Sequence, residues 1–336
     1  MKGPIEATIA VTYRCNSRCA MCNIWKIESH DELPFHEYSK LPRSLRTINI
    51  TGGEPFLRED IVDVVREIHG VVPRARIVIS SNGYLTKVIG RMMTEMMSFH
   101  PRIGIGISID GLGETHDRIR GVNGGFERAT ETLETLRSIG VKDVRLGMTL
   151  MKDNAAQVLD VFKLACDFGV EFTTAIAHNS EIFFRKEDNE PLSPSADACE
   201  CLDRVIGEHL RSYRLKNWFR AYHLSGILNP SVRSVVSKNC PAGIRFFFMD
   251  PSGDVYPCLV MNRKMGNIRD VSSFEGIMQS AETAEARACV QSCKSDCWMI
   301  CNTRSMIANH PGKAIAWVAK NKLQAHFSRK TYARLS

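Results

Sequence analysis

Three cysteines sit together in the stretch "RCNSRCAMCNIW", at Cys15, Cys19 and Cys22, and the next cysteine along the chain is Cys166. Thiolates at this spacing suit a soft metal, yet a structural zinc ion or an ordinary electron-transfer cluster takes four protein ligands. A four-iron cluster held by three thiolates keeps one iron open, and a bound small molecule can fill that position. Half of a zinc site shared with a distant segment is the competing reading. A second set lies near the C-terminus: Cys240 and Cys258, then Cys289, Cys293, Cys297 and Cys301, the last four separated by three residues each. Cys166, Cys199 and Cys201 fit neither set, and Cys166, inside an amphipathic pattern, is expected to be a small buried hydrophobe.

Such groups need a scaffold. The chain has 336 residues, 44% hydrophobic and 24% charged, enough for one large globular unit or two smaller ones. Its first residues carry no secretory pattern, and no stretch approaches the roughly 20 apolar residues of a membrane span. A reducing, cytoplasmic setting is therefore expected, where clustered cysteines bind metal rather than pair. The net charge is +7, and residues 311–336 hold six Lys or Arg and no acid. That tail reads as a solvated helix face or as a surface for an anionic partner.

Up to about residue 180, β-rich runs alternate with amphipathic stretches. Strands are expected at Ile5–Tyr13, Arg46–Thr51, Ala75–Ser81, Arg102–Ile109, Asp143–Leu150 and Val170–Ala177. Helical patterns lie between them, "EDIVDVVREIHG" and "FERATETLETLRSIG" among them, the latter stopping at Gly140. Short loops and repeated β-α units imply a parallel sheet with right-handed crossovers. The fold class is thus α/β, a partial six-unit TIM-like barrel, with function at the carboxyl ends of its strands. The cysteine loop follows the first strand at that end. The expected division is a core over 1–185, a helical linker over 186–238, a small cysteine-rich domain over 239–310 and a basic helix or tail over 311–336. In the third of these, "IRFFFMDPSGDVYPC" reads as a β-hairpin.

The carboxyl ends of the strands are polar. "TGGEP" (Thr51 to Pro55), "SSNG" (Ser80 to Gly83) and "SIDG" (Ser108 to Gly111) follow in order, then "HDRIRG" (His116 to Gly121). Taken with the three cysteines, this succession resembles the radical S-adenosylmethionine (SAM) enzymes over about Ile5 to Ala177. The resemblance implies a [4Fe-4S] cluster on Cys15, Cys19 and Cys22 whose open iron binds SAM. Reductive cleavage of SAM then gives a 5′-deoxyadenosyl radical. It implies that Gly52, Gly53, Glu54 and Pro55 form the cradle for the SAM methionyl group, with Glu54 accepting from its ammonium. It also implies that Ser80, Asn82, Ser108 and Asp110 make polar contacts to SAM, while Arg118 or Arg120 clamps a carboxylate, Arg120 being preferred. Met21 matches a position that often meets the adenine. Asn154 lies near the end of the fifth strand and His178 near the end of the sixth, where a structural role is expected for the histidine.

The second cysteine set resembles the SPASM domain, a C-terminal extension of these enzymes that carries auxiliary iron–sulfur clusters. Cys240, twelve residues, Gly253, four residues and Cys258 match the opening of its pattern. The later spacing departs from it, since Cys289, Cys293, Cys297 and Cys301 stand at three-residue gaps and no cysteine follows. At least one auxiliary [4Fe-4S] cluster is expected, held by Cys240 and Cys258 with further ligands from Cys293, Cys297 and Cys301. A structural zinc site on the same thiolates is the alternative.

The expected function is radical hydrogen abstraction from a small-molecule, lipid or sugar-type substrate, assisted by the auxiliary cluster. The alternative is a peptide or protein maturase with a separate recognition partner, since only fourteen residues precede Cys15. An electron-carrying iron–sulfur protein is disfavoured because it needs no SAM cradle. Expected partners are a reductant such as flavodoxin or ferredoxin and an anionic or lipid-linked substrate; no nucleic acid is expected. Ile315, Ala319, Leu323 and Phe327 recur at four-residue steps among Lys320, Lys322, Arg329 and Lys330. This helix is expected to pack against the cysteine-rich domain or to make a peripheral membrane contact.

Overall fold

The computed structural model describes residues 3–28, 31–229, 232, 240–295, 297–309 and 311–327. Six parallel strands occupy the expected segments: β1 (Glu6–Ala10), β2 (Thr47–Thr51), β3 (Arg76–Ser81), β4 (Gly104–Ser108), β5 (Asp143–Leu150) and β6 (Glu171–Ile176). Each neighbours the next, so the sheet grows in one direction from β1 to β6. Helices α1 (Ile61–Val71), α2 (Thr86–Phe99), α3 (Glu114–Arg120), α4 (Gly125–Ser138) and α5 (Val158–Asp167) fill the crossovers.

Strand alternation decides which face is core. Ile48 and Ile50, Ile77 and Ile79, and Ile105 and Ile107 are all 0% exposed beneath the helices. Burying each isoleucine contributes about 2–3 kcal/mol before entropy is counted. The alternate residues face inward and stay partly exposed: β2 and β5 read intermediate–buried along their whole lengths. Thr47, Asn49, Arg145, Gly147 and Thr149 lie on this inner face, so the lumen is polar and partly open rather than packed with layers of apolar side chains.

The expected hairpin is present as β7 (Phe246–Met249) and β8 (Asp254–Tyr256), followed by β9 (Gly266–Asn267). Asp250 Oδ1 accepts from Ser252 N and Asp254 N at 3.0 and 2.9 Å, and Gly253 takes φ +91° to close the turn. This hairpin extends the main sheet. β7 runs parallel to β1, with Glu6 opposite Phe246 and Ile9 opposite Met249, giving the order β6-β5-β4-β3-β2-β1-β7-β8-β9. The sheet is open, with no pairing between its two ends among the described residues.

After β6 the chain forms α6 (Ala196–Arg211) and α7 (Leu215–Leu228). α7 lies beside the edge strand β6, where Arg220 Nη2 donates to Glu171 Oε2 at 2.5 Å. The C-terminal part adds α8 (Phe274–Gln279), α9 (Ala281–Gln291), α10 (Ile300–Asn309) and α11 (Pro311–Phe327). Trp298, 1% exposed, seats against α7, donates to His223 O at 2.7 Å and leaves no room for a Cβ at Gly226. From α10, Arg304 and Ser305 reach Glu6 at the start of β1.

Two expectations are corrected here. Cys166 is exposed, because α5 turns Val158, Val161 and Ala165 to the core and leaves its neighbour on the outer side. α11 packs on α6 and α7, with Lys322 Nζ donating to Leu210 O and Ser212 O at 2.7 and 3.1 Å. It buries Ala314, Val318, Asn321 and Ala325, so Ile315 and Leu323 of the expected apolar stripe are exposed. Arg329, Lys330 and the Phe327 side chain lie outside the described residues.

Candidate functional site

The cysteine loop is clamped on two sides. On one, the turn after β2 bonds to the residues leaving β1: Gly53 N donates to Thr12 O and Glu54 N to Arg14 O, both at 2.8 Å. Gly52 has φ +139°, and a Cβ there or at Gly53 would run into Thr12 O or Arg14 O. The sequence suggested that these glycines admit a cofactor. Their close approach in the structure is to the chain's own backbone just before Cys15. Pro55 starts the following turn, and the Glu54 side chain caps it by accepting from Phe56 N.

On the other side the loop docks on the end of α3. Arg18 N donates to Arg120 O at 2.9 Å and Ala20 N to Ile119 O at 2.8 Å, satisfying carbonyls that a helix terminus leaves open. Gly121 ends α3 at φ +63°, and a Cβ there would lie 2.7 Å from Arg18 O. Beyond the loop, the Cys22 thiol faces Phe184 O at 3.7 Å and Cys22 O accepts from Trp25 Nε1 at 3.0 Å. Burial pushes the Cys15 thiol up to about 12 and the Cys22 thiol up to about 11.

The polar strand ends form one connected network. Glu54 is 0% exposed and accepts from Ser81 Oγ at 2.9 Å and Asn82 N at 2.8 Å, so its hydrogen bonds join the end of β2 to that of β3. Burial raises its pKa to about 7 against the pull of these donors and of Arg120. Asn82 Nδ2 donates to Asn16 Oδ1 at 2.7 Å, inside the cysteine loop. Ser80 Oγ donates to Asn49 at 3.1 Å, and Ser108 ends β4 half-exposed toward the lumen.

Asp110 is also 0% exposed. It accepts from Thr149 N at 2.7 Å, and its other oxygen lies 2.6 Å from Arg120 Nε. Arg120 Nη1 points at Cys19 Sγ, 3.7 Å away. Burial alone would lower the pKa of Arg120, but Asp110 and Cys19 overturn that and hold it above the ordinary value. The carboxylate beside Arg120 is therefore the protein's own. Arg118 points outward to Asp153 at 3.6 Å. Asn154 is 1% exposed and donates to Asp110 O and Thr149 O, which is a bracing role.

Sequence reasoning missed several members of this network. His116 is 0% exposed; its Nδ1 accepts from Asp110 N at 3.2 Å, which leaves Nε2–H to donate to Tyr84 Oη at 2.9 Å. Burial drops its pKa to about 3, so it is neutral. Glu32 holds Arg14 by two bonds of 3.0 Å and Thr12 by one of 2.5 Å. Asn189 Nδ2 donates to Met21 O and His178 O, both at 3.1 Å, tying the cysteine loop to the chain after β6. None carries a motif of its own, because each acts through a contact distant in sequence.

Of the second cysteine set, the structure brings together Cys240, Cys258 and Cys293. Cys240 and Cys258 pack around Ala242, Phe246 and Val290, and burial pushes the Cys240 thiol up to about 11, with Cys258 and Cys293 adding to the rise. Burial also raises the Cys258 thiol, although Val260 N and Met261 N favour its thiolate. Cys289 lies on α9 and Cys297 beside Trp298, both partly exposed. The Cys301 side chain lies outside the described residues.

Comparison with known proteins follows this division of the chain. Residues 9–165 match the family model of the radical SAM superfamily, and residues 240–302 match that of an iron–sulfur cluster-binding domain. The chain is similar to an AdoMet-dependent heme synthase of Methanosarcina barkeri, 26% identical over 332 residues, covering 91% of this chain and 90% of that one. It is also similar to the mycofactocin maturase MftC of Mycolicibacterium smegmatis, 26% identical over 304 residues, covering 84% and 72% of the two chains. Among solved structures, native anSMEcpe with bound AdoMet superposes with a TM-score of 0.64 at 14% identity, covering 94% of this chain and 100% of that one. At that identity the likeness concerns the fold alone.

Proposed function

Because the chain belongs to the radical SAM superfamily and carries a C-terminal iron–sulfur domain, we propose that it is a radical enzyme whose first cluster sits on Cys15, Cys19 and Cys22. The observation that carries this is the placement of three thiols on one loop, fastened by Gly52–Glu54 and Arg120 to the polar ends of β2 to β4. The donor set fits a four-iron cluster. Cys19 adds to the rise of the Cys15 and Cys22 thiols, so the three stand near one another on the loop. When bound, the cluster and SAM supply a one-electron reductive cleavage and a 5′-deoxyadenosyl radical, while the protein orients and shields them.

The chain's own residues divide that work. Arg120 sets a positive charge beside Cys19, with its Nη1 3.7 Å from the sulfur. Asp110 and His116 fix the end of β4, and through it Arg120. Ser80, Asn82 and Ser108 offer hydroxyl and amide groups to SAM. Glu54 holds the ends of β2 and β3 in register around the same place. Tyr13, Ile24, Phe183, Phe248 and Leu259 form an apolar cluster against Cys15 and Cys22, and this excludes water from the thiol side.

The substrate reading supported best is a small molecule taken into the lumen, whose inner face carries Thr8, Asn49, Thr149 and Thr173 in partly exposed positions. Cys240, Cys258 and Cys293, with ligands drawn from Cys297 and Cys301, hold the auxiliary cluster on this reading, and a flavodoxin- or ferredoxin-type protein supplies electrons. A peptide substrate is the second reading, favoured by the similarity to a maturase. In the test, anaerobically reconstituted protein is reduced with dithionite in the presence of SAM. 5′-Deoxyadenosine should accumulate, and should be absent with Cys15, Cys19 and Cys22 replaced by alanine. Accumulation of none by the intact protein, at full iron loading, would sink the proposal.

A further inference from the structure

The amino ends of the strands carry a second concentration of charge, away from the cysteine loop. Arg76 opens β3, Asp143 opens β5 with Arg145 two residues on, and Glu171 opens β6. Lys216 and Arg220 reach Glu171 from α7. Four cations thus surround two acids.

The cluster depends on two missing side chains. Arg76 and Asp143 meet across the intervening strand β4, by bonds of 2.8 and 2.7 Å, over Gly104. A Cβ at Gly104 would lie 2.7 Å from Asp143 Oδ2. A Cβ at Gly106 would lie 3.1 Å from Arg145 Cγ, so the Arg145 side chain crosses the inner face of β4 in close contact with that glycine and would have to shift for alanine.

Arg145 is the odd member. Its Nε and Nη2 are buried and make no hydrogen bond among the described residues. Its nearest acid, Asp143 Oδ1, is 3.5 Å away and already held by Arg76. Burial first, then the neighbouring Arg76, lowers the Arg145 pKa to about 10, and the same two causes do so for Arg220. A guanidinium presents a planar fork that carboxylate and phosphate match in pairs of hydrogen bonds. A partly desolvated, under-neutralised fork on the inner face of a polar lumen is built to receive an oxyanion.

We propose that Arg145, flanked by Arg76 and Arg220, anchors an oxyanion of the substrate at the amino end of the lumen. This rests on the reading that the substrate enters the lumen. The span from Arg145 to Thr149 at the far end of β5 is four residues, about 13 Å. The substrate is therefore an elongated molecule with its reacting carbon near the strand ends and a carboxylate or phosphate about that far away.

Equilibrium dialysis of the anaerobically reconstituted protein tests this, with labelled inorganic phosphate in one arm and labelled glutarate in the other. At least one anion should bind at about one equivalent per chain, with the tighter arm naming the group. Arg145→Gln should weaken that binding at least tenfold, Arg145→Lys less, and Arg137→Gln on the outer surface not at all. Gly106→Ala, which displaces Arg145 without removing its charge, should also weaken it and serves if Arg145→Gln fails to fold. Absence of binding by the intact protein overturns the proposal, as does undiminished binding by Arg145→Gln. 5′-Deoxyadenosine formation by the intact protein without substrate is read separately, so failure of the radical reading shows there and not in the dialysis.

Discussion

Asp110→Asn isolates one buried ion pair among the contacts that tie the strand ends to the cysteine loop. Asparagine keeps the volume and can still accept from Thr149 N, now at 2.7 Å. What it removes is the negative charge 2.6 Å from Arg120 Nε, in a site where the acid is 0% and the base 11% exposed. In the worse rotamer it sets an amide donor against a guanidinium donor. Stranding one partner of a buried pair costs about 3–5 kcal/mol. The lower end, about 3 kcal/mol, applies here because Arg120 is 11% exposed and keeps a second polar neighbour in Cys19 Sγ, 3.7 Å from its Nη1. An anaerobic urea titration should show that loss, and SAM cleavage should fall at least tenfold as Arg120 and the loop bonded to its carbonyl shift. Arg120→Met should cost a similar amount by stranding Asp110. The double variant should lose clearly less than the two singles together, because no charge is left uncompensated. Asp110→Asn within 1 kcal/mol of the parent, with unchanged cleavage, would refute this reasoning.

Gly53→Ala drives a Cβ into Arg14 O and should displace the residues before Cys15, so iron bound at the first site should be largely lost while the C-terminal site keeps its own; an iron assay on the Gly53→Ala and parent proteins reads this. With Cys15, Cys19 and Cys22 all replaced by alanine, roughly four irons with matching sulfide should remain, whereas zinc without sulfide would make the C-terminal thiols a structural clasp. His116 and His209 titrate near 3 and His100 and His223 near 4 in the folded protein, each lowered chiefly by burial. The unfolded chain takes up those protons below about pH 6.5, so stability is intact above that pH and falls as pH drops toward the folded values, by up to about 1.4 kcal/mol per unit per histidine. Urea midpoints measured from pH 8 to 5.5 should be flat and then decline; a midpoint that rises on acidification would contradict it.

The strands, their order and the polar character of their ends were legible because each is local: alternation, turn residues and motifs all fall within a dozen positions. The glycines of the turn after β2 were read as a cradle for the SAM methionyl group; the contacts that the fold itself gives them are to Thr12 and Arg14, which no local signal announces. For Asp110 the resemblance implied a polar contact to SAM. Its burial depends on Arg120 and Thr149, 10 and 39 residues away in sequence, and so was not visible. Cys166 shows the converse limit: an amphipathic pattern gives two faces, and one residue of phase error moves a side chain from core to solvent. The place of β7 was beyond reach as well. A hairpin announces its own pairing, but nothing local says which other strand it will join.

That last pairing has a consequence for how the two thiol sets relate. Cys15 hangs from the end of β1 and Cys258 from the end of β8, and β1–β7–β8 is one continuous ladder of backbone hydrogen bonds. The side chains between them reinforce it: Phe248 on β7, Phe183 and Leu259 pack in the cluster that also meets Cys15, Cys22 and Tyr256. Register in a half-buried sheet is strongly specified, since a slip of one residue would turn Phe246 and Phe248 to the opposite face. The distance between the two thiol sets is therefore fixed by strand pairing rather than by a linker. On the proposal that each set holds a cluster, this pairing sets how far apart the two stand, and a substitution that shifts the β1–β7 register would change that spacing.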